Sequence, residues 1–163
     1  MNITENFTLD ELCASDAAVK LKIDNKPGEI ETKNLARLAK EILQPARNEL
    51  QKSIYVTSGY RCPKLNKAVG GAGSSQHVYG EAADIVVRNK NGQDTRAMKA
   101  LFAILATRTK FGQLIWEYNG SWIHVSIPSS RLRTNGQILA IFTVGKRTST
   151  IDITKTWKSY IGY

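Results

Sequence analysis

Hydrophobic positions along the chain switch between a helical and a strand-like spacing, and the switches mark out most of the secondary structure. From Thr32 onward, Leu35, Leu38, Ala39, Ile42, Leu43, Ala46 and Leu50 recur every three or four residues, the stripe of an amphipathic helix facing a core. Pro45 falls inside that stripe. A proline there has no N–H to donate and crowds the carbonyl four residues back, so the pattern predicts a kinked or divided helix. Upstream, Thr8-Leu9-Asp10-Glu11 is a capping-box pattern opening a short helix, with Phe7 as its hydrophobic anchor. A polar loop with Asn25, Pro27 and Gly28 follows it. A short helix is expected over 63–69. A longer amphipathic one is expected over 95–107, with Met98, Leu101, Phe102 and Leu105 inward.

Strand-like runs fill the remainder. Ile54-Tyr55-Val56-Thr57-Ser58 ends in Gly59-Tyr60-Arg61-Cys62-Pro63, and residues 82–87 form an apolar run after a glycine-bearing turn. Residues 113–118 and 121–127 flank Asn119-Gly120. Asn-Gly between alternating runs predicts a hairpin with a two-residue type I′ turn. Residues 137–144 give a further strand, the stretch 89–94 is a turn region, and the tail from 157 to 163 has no decisive pattern. The sum is an α+β fold: a mainly antiparallel sheet with helices packed on one face. We expect one domain over residues 1–163 with its core at about 35–144.

Composition narrows the function only a little. The chain is 42% hydrophobic and 23% charged, ordinary for a globular protein. The longest largely apolar run, residues 138–144, is too short to span a bilayer, so no transmembrane segment is expected. The first ten residues lack a basic region followed by an apolar stretch, so synthesis in the cytoplasm without a signal peptide is expected. Cys13 and Cys62 form no C-x-x-C pair and suggest reduced structural thiols. A net charge of +9 favours a polyanionic partner: nucleic acid, an anionic membrane or an acidic wall polymer. The basic residues are scattered and no zinc-finger or RNA-binding signature is present, so no specific nucleic-acid target is expected.

Candidate chemistry changes the picture more. Asp84 lies in the apolar run 82–87, where an unpaired carboxylate would cost several kcal/mol, so a cation or metal is its expected partner. His77 lies seven residues upstream, and the only other histidine, His124, lies in the strand-like run 121–126. Each histidine alone also suits a satisfied core position. Together, two histidines and one carboxylate with a fourth position open form a catalytic rather than structural zinc set. Hairpin register adds one more residue. With Glu117 opposite Trp122 and Ile115 opposite His124, strand alternation puts Ile115, Glu117, Trp122 and His124 on one face. Glu117 is then a diagonal neighbour of His124. It is placed either to act as a general base on a metal-activated water or simply as an exposed hairpin residue.

Ser75-x-His77-x-x-Gly80-x-Ala82-x-Asp84 also matches the S-x-H-x-x-G-x-A-x-D signature of the zinc D-alanyl-D-alanine carboxypeptidase family. That family includes phage L-alanyl-D-glutamate endopeptidases and shares its fold with the hedgehog signalling domain. Ser58-Gly59-Tyr60-Arg61 resembles the family's S-G-Y-R segment, and Trp122-Ile123-His124-Val125 resembles its final ligand strand. The resemblance covers about residues 35–127. It implies that His77, Asp84 and His124 bind Zn2+. It further implies that Arg61 binds a substrate carboxylate or polarises the carbonyl, where a surface salt bridge is the plain alternative. Ser75 would hydrogen-bond the substrate or support His77. One position departs from the family pattern. The carboxylate that family members carry three residues before the last histidine is Ser121 here, and Glu117 is the natural substitute. The implied activity is hydrolysis of peptidoglycan stem peptides by a monomeric phage or prophage endolysin-type enzyme acting on the cell wall after release. The alternative is a non-catalytic zinc-binding module of hedgehog-like fold.

Overall fold

The computed structural model describes residues 1–133 and 135–163. Near the amino terminus, α1 (Leu9–Cys13) opens as its capping pattern dictates, with Thr8 Oγ1 accepting from the Glu11 N–H at 3.1 Å. A further short helix, α2 (Asp16–Lys20), is capped by Ser15.

The long hydrophobic stripe forms continuous helix from Glu29 to Leu50, but not uniform helix. α3 (Glu29–Leu38) passes into a π-helical turn (Ala39–Leu43) and then α4 (Gln44–Leu50). Pro45 sits at the start of α4, so the widened turn lies just where a proline would otherwise clash with the preceding carbonyls. The expected kink is thus taken up by one wide turn, with Leu38, Ala39, Ile42, Leu43 and Ala46 all buried.

β1 (Ile54–Ser58), α5 (Pro63–Ala68), a short 3-10 turn (Gln76–Tyr79) and β2 (Ala82–Asn89) come next. After them are β3 (Gly92–Gln93), α6 (Thr95–Arg108), β4 (Gln113–Glu117) and β5 (Trp122–Ser126). The chain closes with β6 (Gln137–Val144), β7 (Arg147–Asp152) and α7 (Trp157–Ile161). The described strands form one sheet in the order β1-β2-β5-β4-β6-β7, with β3 paired to β2. Every pairing is antiparallel except β4 with β6. The mainly antiparallel α+β architecture is therefore present.

Three details differ from the sequence expectation. The β4–β5 connection is wider than two residues, because Tyr118, Asn119 and Gly120 all have positive φ and the Ser121 N–H reaches back to Glu117 O. The Tyr118 N–H is held by Ile141 O of β6, which draws Tyr118 out of the hairpin ladder. The strand register nevertheless stays as the tight turn would give it, with Glu117 opposite Trp122 and Ile115 opposite His124. The tail also folds: β7 extends the sheet, and α7 buries Trp157 and Ile161. Apolar packing reaches past 35–144 at both ends, to Phe7, Leu12, Ile153, Trp157 and Ile161.

Alternation along β4 and β5 divides the sheet into two unlike faces. Leu114, Trp116, Ile123 and Val125 join the core, where Phe102 of α6 meets Trp116 edge to face at 5.3 Å. Ile115, Glu117, Trp122 and His124 line a cleft on the opposite face. No helix among the described residues is long and apolar enough to cross a membrane.

Candidate metal centre and its cleft

Pairing of β2 with β5 sets Asp84 directly opposite His124. The 3-10 turn before β2 carries His77 to the same place. Its exit depends on Gly80, which has φ +66° and lies against the Glu31 carbonyl, where a Cβ would collide. Three ligand atoms converge. Asp84 Oδ1 lies 3.0 Å from His124 Nδ1 and 3.3 Å from His77 Nε2, and the two ring nitrogens are 3.2 Å apart. Both imidazoles are buried.

The outer ring nitrogens decide the proton positions. His77 Nδ1 meets Gly59 O at 2.7 Å, and His124 Nε2 meets Gln76 Oε1 at 2.7 Å. Both partners are acceptors, so each outer nitrogen carries its hydrogen as a donor. Gln76 is oriented in turn by its Nε2, which donates to Ser126 Oγ at 3.0 Å. The inner nitrogens therefore present lone pairs to each other and to a carboxylate oxygen. Three acceptors this close repel unless a cation or an added proton lies among them. Burial pushes the His77 pKa below its ordinary value, with the nearby Asp84 acting the other way, so an added proton is unwelcome there. Burial also works against the Asp84 charge, but a hydrogen on the inner nitrogen of His124 or His77 would be donated to its carboxylate, and such contacts hold that carboxyl well below the usual range.

A metal ion suits this arrangement. In a tetrahedral zinc site with ligand bonds of about 2.0–2.1 Å, neighbouring ligand atoms stand about 3.3 Å apart, close to the spacings of this triangle. Imidazoles anchored by carbonyl oxygens are the usual outer support of zinc ligands. His77, Asp84 and His124 can hold such an ion.

The other expected site residues surround this triangle in an open cleft of about 1000 Å³. Glu117 reaches it from β4 and is only 9% exposed. Burial pushes its carboxyl pKa up, His124 opposes this, and Asp84 adds to it. Arg61 lines the cleft with its Nε buried and without a hydrogen-bond partner among the described residues. Burial lowers its pKa while the Asp84 charge favours the cation. Ser75 also lines the cleft, but His77 is braced by Gly59 O rather than by Ser75. Ser121 is exposed in the turn, its hydroxyl donating to Tyr118 O at 2.9 Å.

Gln76 and the Gly59 carbonyl escaped the sequence reading, because no spacing rule marks a neighbour of a ligand as its brace. The β1 bulge between Val56 and Ser58 brings Gly59 to His77. Gly59 packs so closely on the Leu12 carbonyl that a side chain has no room.

No curated protein matches the chain. Residues 5–126, about three quarters of its length, match the family model described as Peptidase M15. That stretch carries all three residues of the ligand triangle together with Glu117 and Arg61. The chain accordingly belongs to the peptidase M15 family, whose members are zinc-dependent metallopeptidases.

Proposed function

We propose that this metallopeptidase hydrolyses peptide bonds in the stem peptide of bacterial peptidoglycan, as a single domain over residues 1–163 that works as a monomer in phage or prophage lysis. The observation that carries the reading is the triangle of lone-pair acceptors at 3.0–3.3 Å, both imidazoles fixed by outer hydrogen bonds, inside a cleft with a desolvated glutamate and arginine. A charge of +9 suits residence on an anionic wall.

His77, Asp84 and His124 would hold zinc, which when bound acts as a Lewis acid toward water and the scissile carbonyl. Glu117 is the general base. Its carboxylate takes a proton from the attacking water as the carbon–oxygen bond forms, then delivers it to the leaving nitrogen as the carbon–nitrogen bond breaks. Desolvation, which makes that carboxylate more basic, favours the first transfer. Arg61 presents a cation to a substrate carboxylate or to the carbonyl oxygen, and its planar fork suits a carboxylate better than a lysine would. Ser75 contributes a hydroxyl to the substrate backbone. Gln76 and the Gly59 carbonyl keep the two imidazoles in the tautomer a metal needs.

Mass spectrometry of purified muropeptides incubated with zinc-loaded protein tests this. Cleavage should yield fragments from one bond of the stem, identifying the enzyme as a D,D-carboxypeptidase or an L-alanyl-D-glutamate-type endopeptidase. His77→Ala and His124→Ala should lose zinc. Glu117→Gln should keep zinc and lose about 100-fold or more in kcat. Full zinc uptake with no muropeptide cleaved would instead support a non-catalytic zinc-binding module.

A further inference from the structure

The cleft continues past the metal ligands to a cluster that plays no part in the chemistry above. Arg131, Glu81 and Tyr79 all line it. Arg131 Nη2 lies 3.3 Å from Glu81 Oε1, and its guanidinium carbon stands 4.2 Å above the Tyr79 ring. The two partners are unequal: the Glu81 side chain is 5% exposed, that of Arg131 43%. Glu81 is held through one carboxylate oxygen and its backbone, while its buried Oε2 has no hydrogen-bond partner among the described residues. Its Oε1 also accepts from Ser129 Oγ at 3.1 Å, its N–H donates to Gln76 O, and its carbonyl accepts from the Ile127 N–H. Arg131 sits on a short loop closed on itself, where Ser129 and Asn135 exchange two hydrogen bonds and Ser129 Oγ accepts from the Arg131 N–H.

We propose that Arg131 forms a carboxylate-binding subsite in the cleft, held in position by Glu81 and Tyr79, and that it selects peptides with a free carboxylate on a residue flanking the scissile bond. A guanidinium has five N–H donors in a rigid plane. Tyr79 covers one face and Glu81 engages one edge, leaving donors to meet an anion from the cleft with little ordering cost. Tyr79 and Glu81 belong to the same chain segment as His77 and Asp84, so the subsite keeps a fixed distance from the ligand triangle. Arg131 lies beyond residue 126, where the family match ends, whereas Tyr79 and Glu81, which hold it, lie within the match. A cleft with cations at both Arg61 and Arg131 suits an acidic peptide better than one with a lone terminal carboxylate. The inference rests on the peptidase reading above.

Two stem peptides that differ only in whether the carboxylates of the second and third residues are free or amidated test it. Zinc-loaded wild type should cleave the free-acid peptide with kcat/KM about tenfold above the amide, the difference residing in KM. Direct calorimetric titration should show the same preference in affinity. Arg131→Gln should erase the preference by raising KM for the free-acid peptide to that of the amidated one, and Arg131→Lys should recover only part of it. Arg131→Gln also strips Glu81 of its charge partner, so the double variant with Glu81→Gln is needed. It should recover thermal stability and still lack the preference. Equal handling of the two peptides by wild type, or a preference retained in Arg131→Gln, overturns the subsite. If neither peptide is cleaved, the peptidase reading fails on these substrates. Calorimetry then decides the subsite alone, with equal affinities overturning it.

Discussion

Replacing Gln76 with leucine removes the acceptor of the 2.7 Å hydrogen bond to His124 Nε2 while keeping similar bulk. The loss is asymmetric. His124 is buried, so its outer N–H is left without a partner, at a cost of about 1–3 kcal/mol. The ring is then free to move its hydrogen to Nδ1, the atom that faces Asp84 and His77. Loss of such an outer bond lowers metal affinity about 10–100-fold, equivalent to about 1.4–2.8 kcal/mol. Ser126 Oγ keeps its bond from the Gln113 N–H at 2.9 Å, so the strand pairing beneath should survive. Competition against a chromophoric zinc chelator measures the change directly, with circular dichroism as the control on folding. Gln76→Glu retains an acceptor and should keep wild-type affinity or exceed it. A folded Gln76→Leu protein that binds zinc within about twofold of wild type would show that Gln76 does not set the His124 tautomer, and the case for three inward lone pairs would fall with it.

Zinc-free protein should lose stability as the pH drops below about 6.5. His77 is held below its unfolded pKa by burial, so the unfolded chain binds that proton first. A further loss should follow below about 3.9, where unfolded aspartate begins to protonate while Asp84 is still held ionised by His124 and His77 against the opposing effect of burial. Glu117 has the opposite sign, because its raised pKa favours the fold at low pH and that contribution fades as the pH rises through it. Urea titrations from pH 7 to pH 3 check the balance, and a flat or rising stability on acidification would contradict it. Gly59→Ala should lower both the melting temperature and zinc affinity, since its methyl group would be driven into the Leu12 carbonyl and displace the carbonyl that braces His77. Overpacking of this kind costs about 1–3 kcal/mol, and unchanged melting and zinc affinity would refute the close approach.

Where chemistry is local, the sequence was enough. Thr8 as a helix cap, the helical stripe of α3 and α4, and the alternation that sends Glu117 and His124 to one face all depend on spacings of two to four residues. The ten-residue run from Ser75 to Asp84 and the Trp122–Val125 strand carried the family resemblance, and the match over residues 5–126 shows that family. Arrangements joining distant residues were decided by the tertiary structure. Asp84 faces His124 because β2 pairs with β5, and β4 pairs in parallel with β6 although β5 lies between them in the chain. Gln76 braces His124 across 48 residues, and Glu81 holds Arg131 across 50. The wide turn before Pro45 and the left-handed Tyr118 are likewise compromises between a local rule and a packing demand. Periodicity reports which face of an element is apolar. It is silent on which elements meet and in what register, because that choice is made by burying those faces against one another, and the outer hydrogen bonds of the metal centre exist only once it is made.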